Sequence, residues 1–452
     1  MTLEVQTTTI GEILEAFGGE VKTGPFGTVL KASEYTNSGV PVVSVGEIGH
    51  GEFRIHGRTP YVDKTVTDRL PEFVLRENDI VFARKGSVER TALVGPTQAG
   101  WFLGSDGIRL RLPKTISARF VRYWISSSET RDWLVQNSTG STMASMNQAT
   151  IKRLPIVLPC LQVQTEIAAI LGALDDKIEL NRRMSATLEQ MARALYRSWF
   201  VDFDPVHARA LGQPPAHMDP TTAALFPDSF GPDGLPKGWV RESLARHVTA
   251  ARGLSYKGKH LCGSDDGVPL HNLNSILEGG GYKDGGAKYY NGDFKPRHEI
   301  RPGDLIVANT EQSFGLELIG HAALVPSWLG PSGIFSQHLY KVEIKDGSPL
   351  SKEWLYLALS IASLGVEIRG FSNGTTVNML PADAFDIPEA IIPPEAVVEK
   401  LNDFVRPAFA KQERLREEAR TLASLRDTLL PRLMSGDLRI REAEKQVEEV
   451  LA

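Results

Sequence analysis

From Ile167 the chain places apolar and small residues at alternating steps of four and three: Ile167, Leu171, Leu174, Ile178, Asn181, Ser185, Leu188, Ala192, Leu195 and Trp199. Asp175, Lys177, Arg182, Arg183 and Glu189 fall outside that stripe. This heptad seam predicts one long amphipathic helix over 162–200 that needs a partner helix. At about 1.5 Å per residue it runs roughly 55 to 60 Å, and Gly172 alone weakens it. The same spacing returns at Leu401, Val405, Ala408, Gln412, Leu415, Ala419, Leu422, Arg426, Leu429 and Leu433. Two long helices therefore follow two other stretches of chain at equivalent distances. The polar seam residues Asn181, Ser185, Gln412 and Arg426 fit either an imperfectly packed pair or a pair whose register they fix.

Ahead of the first helix the pattern shortens. PVVSVGEI at 41–48, DIVFARKG at 79–86 and GIRLRL at 107–112 read as strands between turn signals, and 118–136 reads as helix, which together predict a compact α+β domain. The order then recurs. GVPVVSVGEI at 39–48 returns as GVPLHNLNSI at 267–276, NDIVFAR at 78–84 as GDLIVAN at 303–309, STGSTM at 138–143 as SNGTTV at 372–377, and IVLPC at 156–160 as AIIPP at 390–394. A preserved order at near-constant offset marks a duplicated unit. The expected fold class is α+β: two similar α/β domains, separated by two long antiparallel coiled-coil helices, in an internal pseudo-two-fold repeat. The expected boundaries are a first domain at 1–159, a central helix at 160–200, an extended linker at 201–236, a second domain at 237–393, a distal helix at 394–440 and a tail at 441–452. The linker rests on the Pro, Gly, Asp and Ala content of 201–236.

Comparing the two copies separates scaffold from variable chemistry. Asn78 and Gly303 stand at matching turns, where either residue tolerates a left-handed backbone. Beyond the next strand, Arg84, Lys85, Gly86, Ser87 and Arg90 face Asn309, Thr310, Glu311, Gln312 and Ser313. The frame is shared and the polar vocabulary differs. Arg pairs bidentately with guanine, Asn and Gln with adenine, while Lys, Ser, Thr and glycine-rich backbone hold phosphates. Candidate DNA-contacting residues in the first copy are Lys22, Arg84, Lys85, Arg90, Ser138, Thr139, Ser141 and Thr142. In the second they are Lys257, Lys259, Asn272, Asn274, Asn309, Gln312, Asn373, Thr375 and Thr376.

Composition narrows the class further. The 452 residues are 42% hydrophobic and 23% charged, enough chain for two cores. No apolar run approaches the ~18 residues of a membrane span, and the start, MTLEVQTTTIGEI, lacks the features of an export signal, so a cytoplasmic protein without membrane association is expected. Cys160 and Cys262 make neither a disulfide framework nor a zinc motif. A net charge of −5 argues against gripping nucleic acid through one large basic face, and leaves room for one arm of a larger complex. Enzyme signatures are weak. GLSYKGKH at 253–260 has the spacing of a phosphate loop but His260 where a magnesium-binding Ser or Thr belongs. Glu343 and Lys345 have a nuclease-like spacing that is commoner on a solvated strand face, and there is no HExxH. No catalytic residue and no metal ligand is assigned.

ILGALDDKIELNRRMSATLEQMARALYRSWFVDFDPV at 170–206 and LRDTLLPRLMSGDLRI at 425–440 resemble the helical regions of the specificity subunit of type I restriction-modification systems. LPKGW at 235–239, the two strand motifs and the IVLP and AIIP exits resemble the same plan, so the likeness covers nearly the whole chain. Departures are Asn78 for the usual Gly, and Cys160 where the other copy has a second Pro. The resemblance implies two target-recognition domains on double-stranded DNA, each reading one half of a bipartite asymmetric site, with the antiparallel helices setting the gap. It also implies two methyltransferase subunits docked on the helices and endonuclease subunits joining them. S-adenosylmethionine, ATP and magnesium would belong to those partners, and this chain would catalyse nothing alone. Two competing readings are a nucleotide-dependent enzyme using the Gly253 loop and a coiled-coil scaffold without a DNA role.

Overall fold

The computed structural model describes residues 6–140, 143–311, 317–361, 363–374 and 378–451. The chain forms two compact units, Met1–Glu179 with Arg420–Ala452, and Leu180–Ala419. Each combines one sheet-rich domain with segments of both long helices.

In the first unit, Gln6–Thr9 pairs antiparallel with Pro155–Leu158 and ties the two ends of the domain together. Between them lies a five-stranded sheet in the order Glu20–Thr23, Gly107–Arg111, Ile80–Ala83, Thr91–Leu93, His50–Gly51. All four residues of Ile80–Ala83 are buried, because this strand is covered on both faces, which explains its unbroken apolar run. A smaller sheet contains Val40–Val43 and, parallel to it, Phe102–Leu103. The second unit repeats these pairings. Val240–Ser243 pairs with Glu389–Ile392, Leu305–Ala308 lies between Ala322–Leu324 and Leu339–Ile344, and Val268–His271 runs parallel to Gly333–Phe335. Asn78 and Gly303 adopt φ of 70° and 79° at equivalent turns, as the sequence comparison requires.

Both heptad stretches are continuous helices, Leu161–Phe200 and Glu395–Ser435. Ile167, Leu171, Leu174, Ile178, Ala192 and Trp199 are buried on the first, and Leu401, Val405, Leu415, Leu422, Leu429 and Leu433 on the second, so the seams face inward. Within the second unit, Gln412 Nε2 donates to the Ser185 carbonyl oxygen at 3.2 Å and to Glu189 Oε2 at 3.3 Å, while Arg416 Nε reaches Ser185 Oγ at 3.4 Å. Residue numbers rise along one helix as they fall along the other, so the pair is antiparallel there. The helix at Gly172 is crossed by the Arg119 guanidinium, whose Nη2 bonds the Gly172 carbonyl oxygen at 3.2 Å and Asp176 Oδ1 at 2.9 Å; a Cβ there would displace only this flexible end.

One segment differs from its compositional reading, and the tail proves to carry an element of its own. The stretch 201–236 carries the helices Asp204–Ala210 and Pro220–Ala223, and Val206 and Phe226 are buried in the second unit's core beside Trp199, Phe200 and Trp239. Scattered anchors suffice to pin such a segment, and they leave no periodicity to read. The tail forms a helix, Ile440–Leu451, with Ala443 and Val447 buried. Among the described residues, no helix is long and apolar enough to cross a membrane.

Candidate nucleic-acid interface

Of the candidate residues of the first unit, Lys22 and Arg84 meet where Ile80–Ala83 ends. Hydrogen bonds from Arg84 N to the Asp106 carbonyl oxygen at 2.9 Å and from Met146 N to the Arg84 carbonyl oxygen at 2.8 Å fix the strand exit between two neighbouring segments. Arg84 Nη1 donates to the Ser105 carbonyl oxygen at 3.2 Å, and its guanidinium lies 5.0 Å from the ring centroid of Phe26. Lys22 sits 4.9 Å over the Phe73 ring. Lys22, Phe26, Phe73, Arg84, Asn147 and Gln148 line one open depression. Two cations spread over two aromatic rings form a surface suited to a negatively charged, flat-faced partner.

The other candidates of this unit lie beside it or apart from it. Lys85 is exposed and pairs with Asp106 at 3.1 Å. Thr139 exchanges backbone hydrogen bonds with Ser145, which also bridges to Lys85, so the Ser138–Thr139–Gly140 turn abuts the strand exit. Ser138 Oγ is spent locally on the Val135 carbonyl oxygen at 2.7 Å. Arg90 does not line the depression, and its Nε is buried without a partner among the described residues. Ser141 and Thr142 lie outside the described residues.

The second unit uses the same frame with other side chains. Asn309 N donates to the His338 carbonyl oxygen at 3.0 Å and Leu380 N to the Asn309 carbonyl oxygen at 2.8 Å, which places Asn309 where the first unit has Arg84. Its Nδ2 donates to the Gln337 carbonyl oxygen at 3.0 Å, matching the Arg84–Ser105 bond. Thr310 Oγ1 lies 3.0 Å from His338 Nδ1, where the first unit has Lys85 and Asp106. Asn309 is 1% exposed, and its Oδ1 and Gln337 Oε1 are buried acceptors without partners among the described residues. Burial, with the Arg252 charge adding to it, holds the His338 imidazole below its ordinary pKa.

Asn272 has a structural task. Its Oδ1 accepts from Asn274 N at 2.9 Å and its Nδ2 donates to the Gly286 carbonyl oxygen at 2.9 Å, which closes the turn Leu273–Ser275 and leaves the side chain buried. Asn274 is exposed and accepts from Lys283 Nζ at 2.9 Å. Lys257 and Lys259 are exposed on and beside the turn Gly258–His260. Asn373 is exposed and pairs through its backbone with Met379. Gln312, Thr375 and Thr376 lie outside the described residues.

Residues 3–190 match the family model described as the type I restriction modification DNA specificity domain. Beyond that match, the chain is similar over most of its length to type I restriction-modification specificity subunits. It is 22% identical to the MjaIX specificity subunit of Methanocaldococcus jannaschii, over 96% of this chain and 93% of that protein. It is 26% identical to the HindI specificity subunit of Haemophilus influenzae, over 71% and 77% respectively. The crystal structure of a type I S subunit from M. genitalium has the same fold, with a TM-score of 0.57, 14% identity and 96% coverage of both chains.

Within this fold the Gly253 loop is no phosphate loop. A phosphate loop joins a strand to a helix, whereas 253–260 leads through the three-residue turn Gly258–His260 into the strand Leu261–Cys262. Gly253 is glycine because a Cβ there would collide with the Phe335 and Ser336 carbonyl oxygens; Gly24 meets the Gly104 carbonyl oxygen at the equivalent place. Sequence reasoning missed Phe26, which is 53% exposed, and its counterpart Tyr256, whose ring lies 5.7 Å from Lys288 Nζ. Both aromatics follow these glycines by two or three residues. An aromatic residue two or three positions after a repeated glycine was the available signal.

Proposed function

We propose that this chain is the non-catalytic DNA-reading subunit of a type I restriction-modification complex, with recognition domains at 1–159 and 237–393 that each read one half of a bipartite, asymmetric site. The observation that carries the reading is the shared strand exit with exchanged chemistry, Arg84, Lys85 and Asp106 in one copy against Asn309, Thr310 and His338 in the other. A duplicated scaffold that varies at one edge suits two different base sequences on one duplex. The long helices set the number of unread base pairs and dock two methyltransferase subunits, which endonuclease subunits join. S-adenosylmethionine, ATP and magnesium belong to those partners, and the complex works in the cytoplasm. The test replaces residues 1–155 by the corresponding domain of a relative and maps the methylated motif in a host supplying the methyltransferase. One half of the motif changes and the other is kept; a change in both halves overturns the reading.

A further inference from the structure

A second polar cavity lies in the first unit, away from the Phe26 depression, lined by His50, Arg122, Ser126, Ser128, Arg131 and Arg426 among others. We propose that it binds a phosphate-bearing anion. Asp175 takes Arg122 Nη1 at 3.0 Å and Arg426 Nη1 at 2.7 Å, and Asp427 takes Arg426 Nε and Nη2 at 2.9 and 2.8 Å. The lining thus holds three guanidiniums, Arg122, Arg131 and Arg426, and one carboxylate, Asp427, with Asp175 paired to two of the three. Arg426 is largely consumed, Arg122 spends Nη1 on Asp175 while the rest of its guanidinium packs against Gly51 and the Tyr123 ring, and Arg131 lines the cavity in no ion pair with a carboxylate among the described residues.

The lining fits a tetrahedral oxyanion better than a single carboxylate. Arg131 offers forked N–H donors beside the Arg122 and Arg426 charges, and the helix Ser128–Gln136 begins at the rim, capped by Ser127 Oγ on Thr130 N. Ser126 Oγ is held by the Arg122 carbonyl oxygen at 2.8 Å, which anchors the rim. His50 reports the field of the cavity: burial lowers its pKa first, and the charges of Arg131, Arg90 and Arg54 lower it further against the opposing pull of Glu89. A bound dianion reverses that field. Because Arg122 and Arg426 share Asp175, an occupant also touches the link between the recognition domain and the helix pair.

The test titrates the full-length chain with inorganic pyrophosphate by calorimetry and follows selectively labelled His50 by NMR. Pyrophosphate binds and raises the His50 pKa, Arg131→Ala weakens binding at least ten-fold, Arg131→Lys weakens it less, and Arg153→Ala, an exposed arginine of the same unit, leaves it unchanged. Two sources share this chemistry, a DNA backbone phosphate and a free phosphate compound. If duplex DNA displaces pyrophosphate, and Arg131→Ala lowers the salt slope of DNA binding by about 0.9, the anion is a backbone phosphate. If duplex and pyrophosphate bind together with the slope unchanged, it is a free compound. Pyrophosphate affinity equal in Arg131→Ala and wild type, with an unmoved His50, overturns the site. None of these readouts depends on which bases the recognition domains read.

Discussion

Arg426, a polar residue inside the distal heptad seam, donates from Nη1 to Oδ1 of Asp175 on the central helix at 2.7 Å. Asp175 also accepts from Arg122 Nη1 at 3.0 Å and from the Tyr123 hydroxyl at 2.7 Å, both on the domain helix Ala118–Ser126. One carboxylate thus joins both long helices and the recognition domain of the first unit. Burial alone would raise its pKa, but the Arg122 charge, the Tyr123 hydroxyl and Arg426 outweigh burial and hold it below the usual carboxylate range.

Asp175→Asn leaves Arg122 and Arg426 without their shared counter-charge in a half-buried setting, which costs roughly 3 kcal/mol. Its pH signature identifies the cause. A carboxyl with a depressed folded pKa stabilises the native state above the unfolded value of about 3.9, and that stability is lost as pH falls through the folded pKa. Denaturant unfolding from pH 7 to pH 2 gives a less stable variant at neutral pH and a shallower decline below pH 4. Equal curves for variant and wild type would show the carboxylate to be a spectator.

Arg84→Ala removes a cation pre-oriented by Phe26 and the Ser105 carbonyl oxygen. A bidentate base contact contributes about 1 to 3 kcal/mol of discrimination. The methylated motif relaxes at one position of one half-site, with up to about a hundred-fold loss of preference there, and the other half-site is unaltered. Arg84→Lys retains charge without the fork and restores affinity more than discrimination.

The docking of domain helix on long helix reverses its charges between the copies. Arg119 on the first domain helix meets Asp176 at 2.9 Å, whereas Glu353 on the second meets Arg406 at 3.3 Å. Both pairs are solvent-exposed on at least one side, so each contributes no more than about 1 kcal/mol. Glu353→Arg destabilises the second unit by about that amount through like charge on Arg406, and the double variant Glu353→Arg with Arg406→Glu recovers it. The coupling is read from a double-mutant cycle at low and high salt, and it shrinks at high salt.

His271 is buried with its Nδ1 2.8 Å from the Tyr282 hydroxyl, and burial lowers its pKa to about 4. The unfolded imidazole takes up its proton near pH 6.5 and the folded one does not, so the second unit loses stability as pH falls from about 6.5 toward 4. The loss reaches roughly 3 kcal/mol, because each tenfold difference in proton affinity between the folded and unfolded imidazole amounts to about 1.4 kcal/mol. His271→Gln removes this contribution. Thermal unfolding at pH 7 and pH 5 shows a smaller difference for the variant than for wild type.

The sequence by itself determined what is repeated along the chain. Heptad spacing located both helices and their inward faces, because burial on a helix recurs with a period that neighbouring residues carry. Duplication gave the strand frame and the left-handed turns at Asn78 and Gly303, because a backbone conformation restricts the residue that adopts it. Only the tertiary structure decided the tasks of the polar residues. Asn272 caps a turn, Asn309 is buried, Arg84 lies over Phe26 and Asp175 gathers Arg122, Tyr123 and Arg426. Even Gly253, legible as a phosphate-loop glycine, is set by the close approach of the Phe335–Ser336 backbone. Such partners come from distant parts of the chain, and a polar side chain carries no local mark of which distant atom will satisfy it.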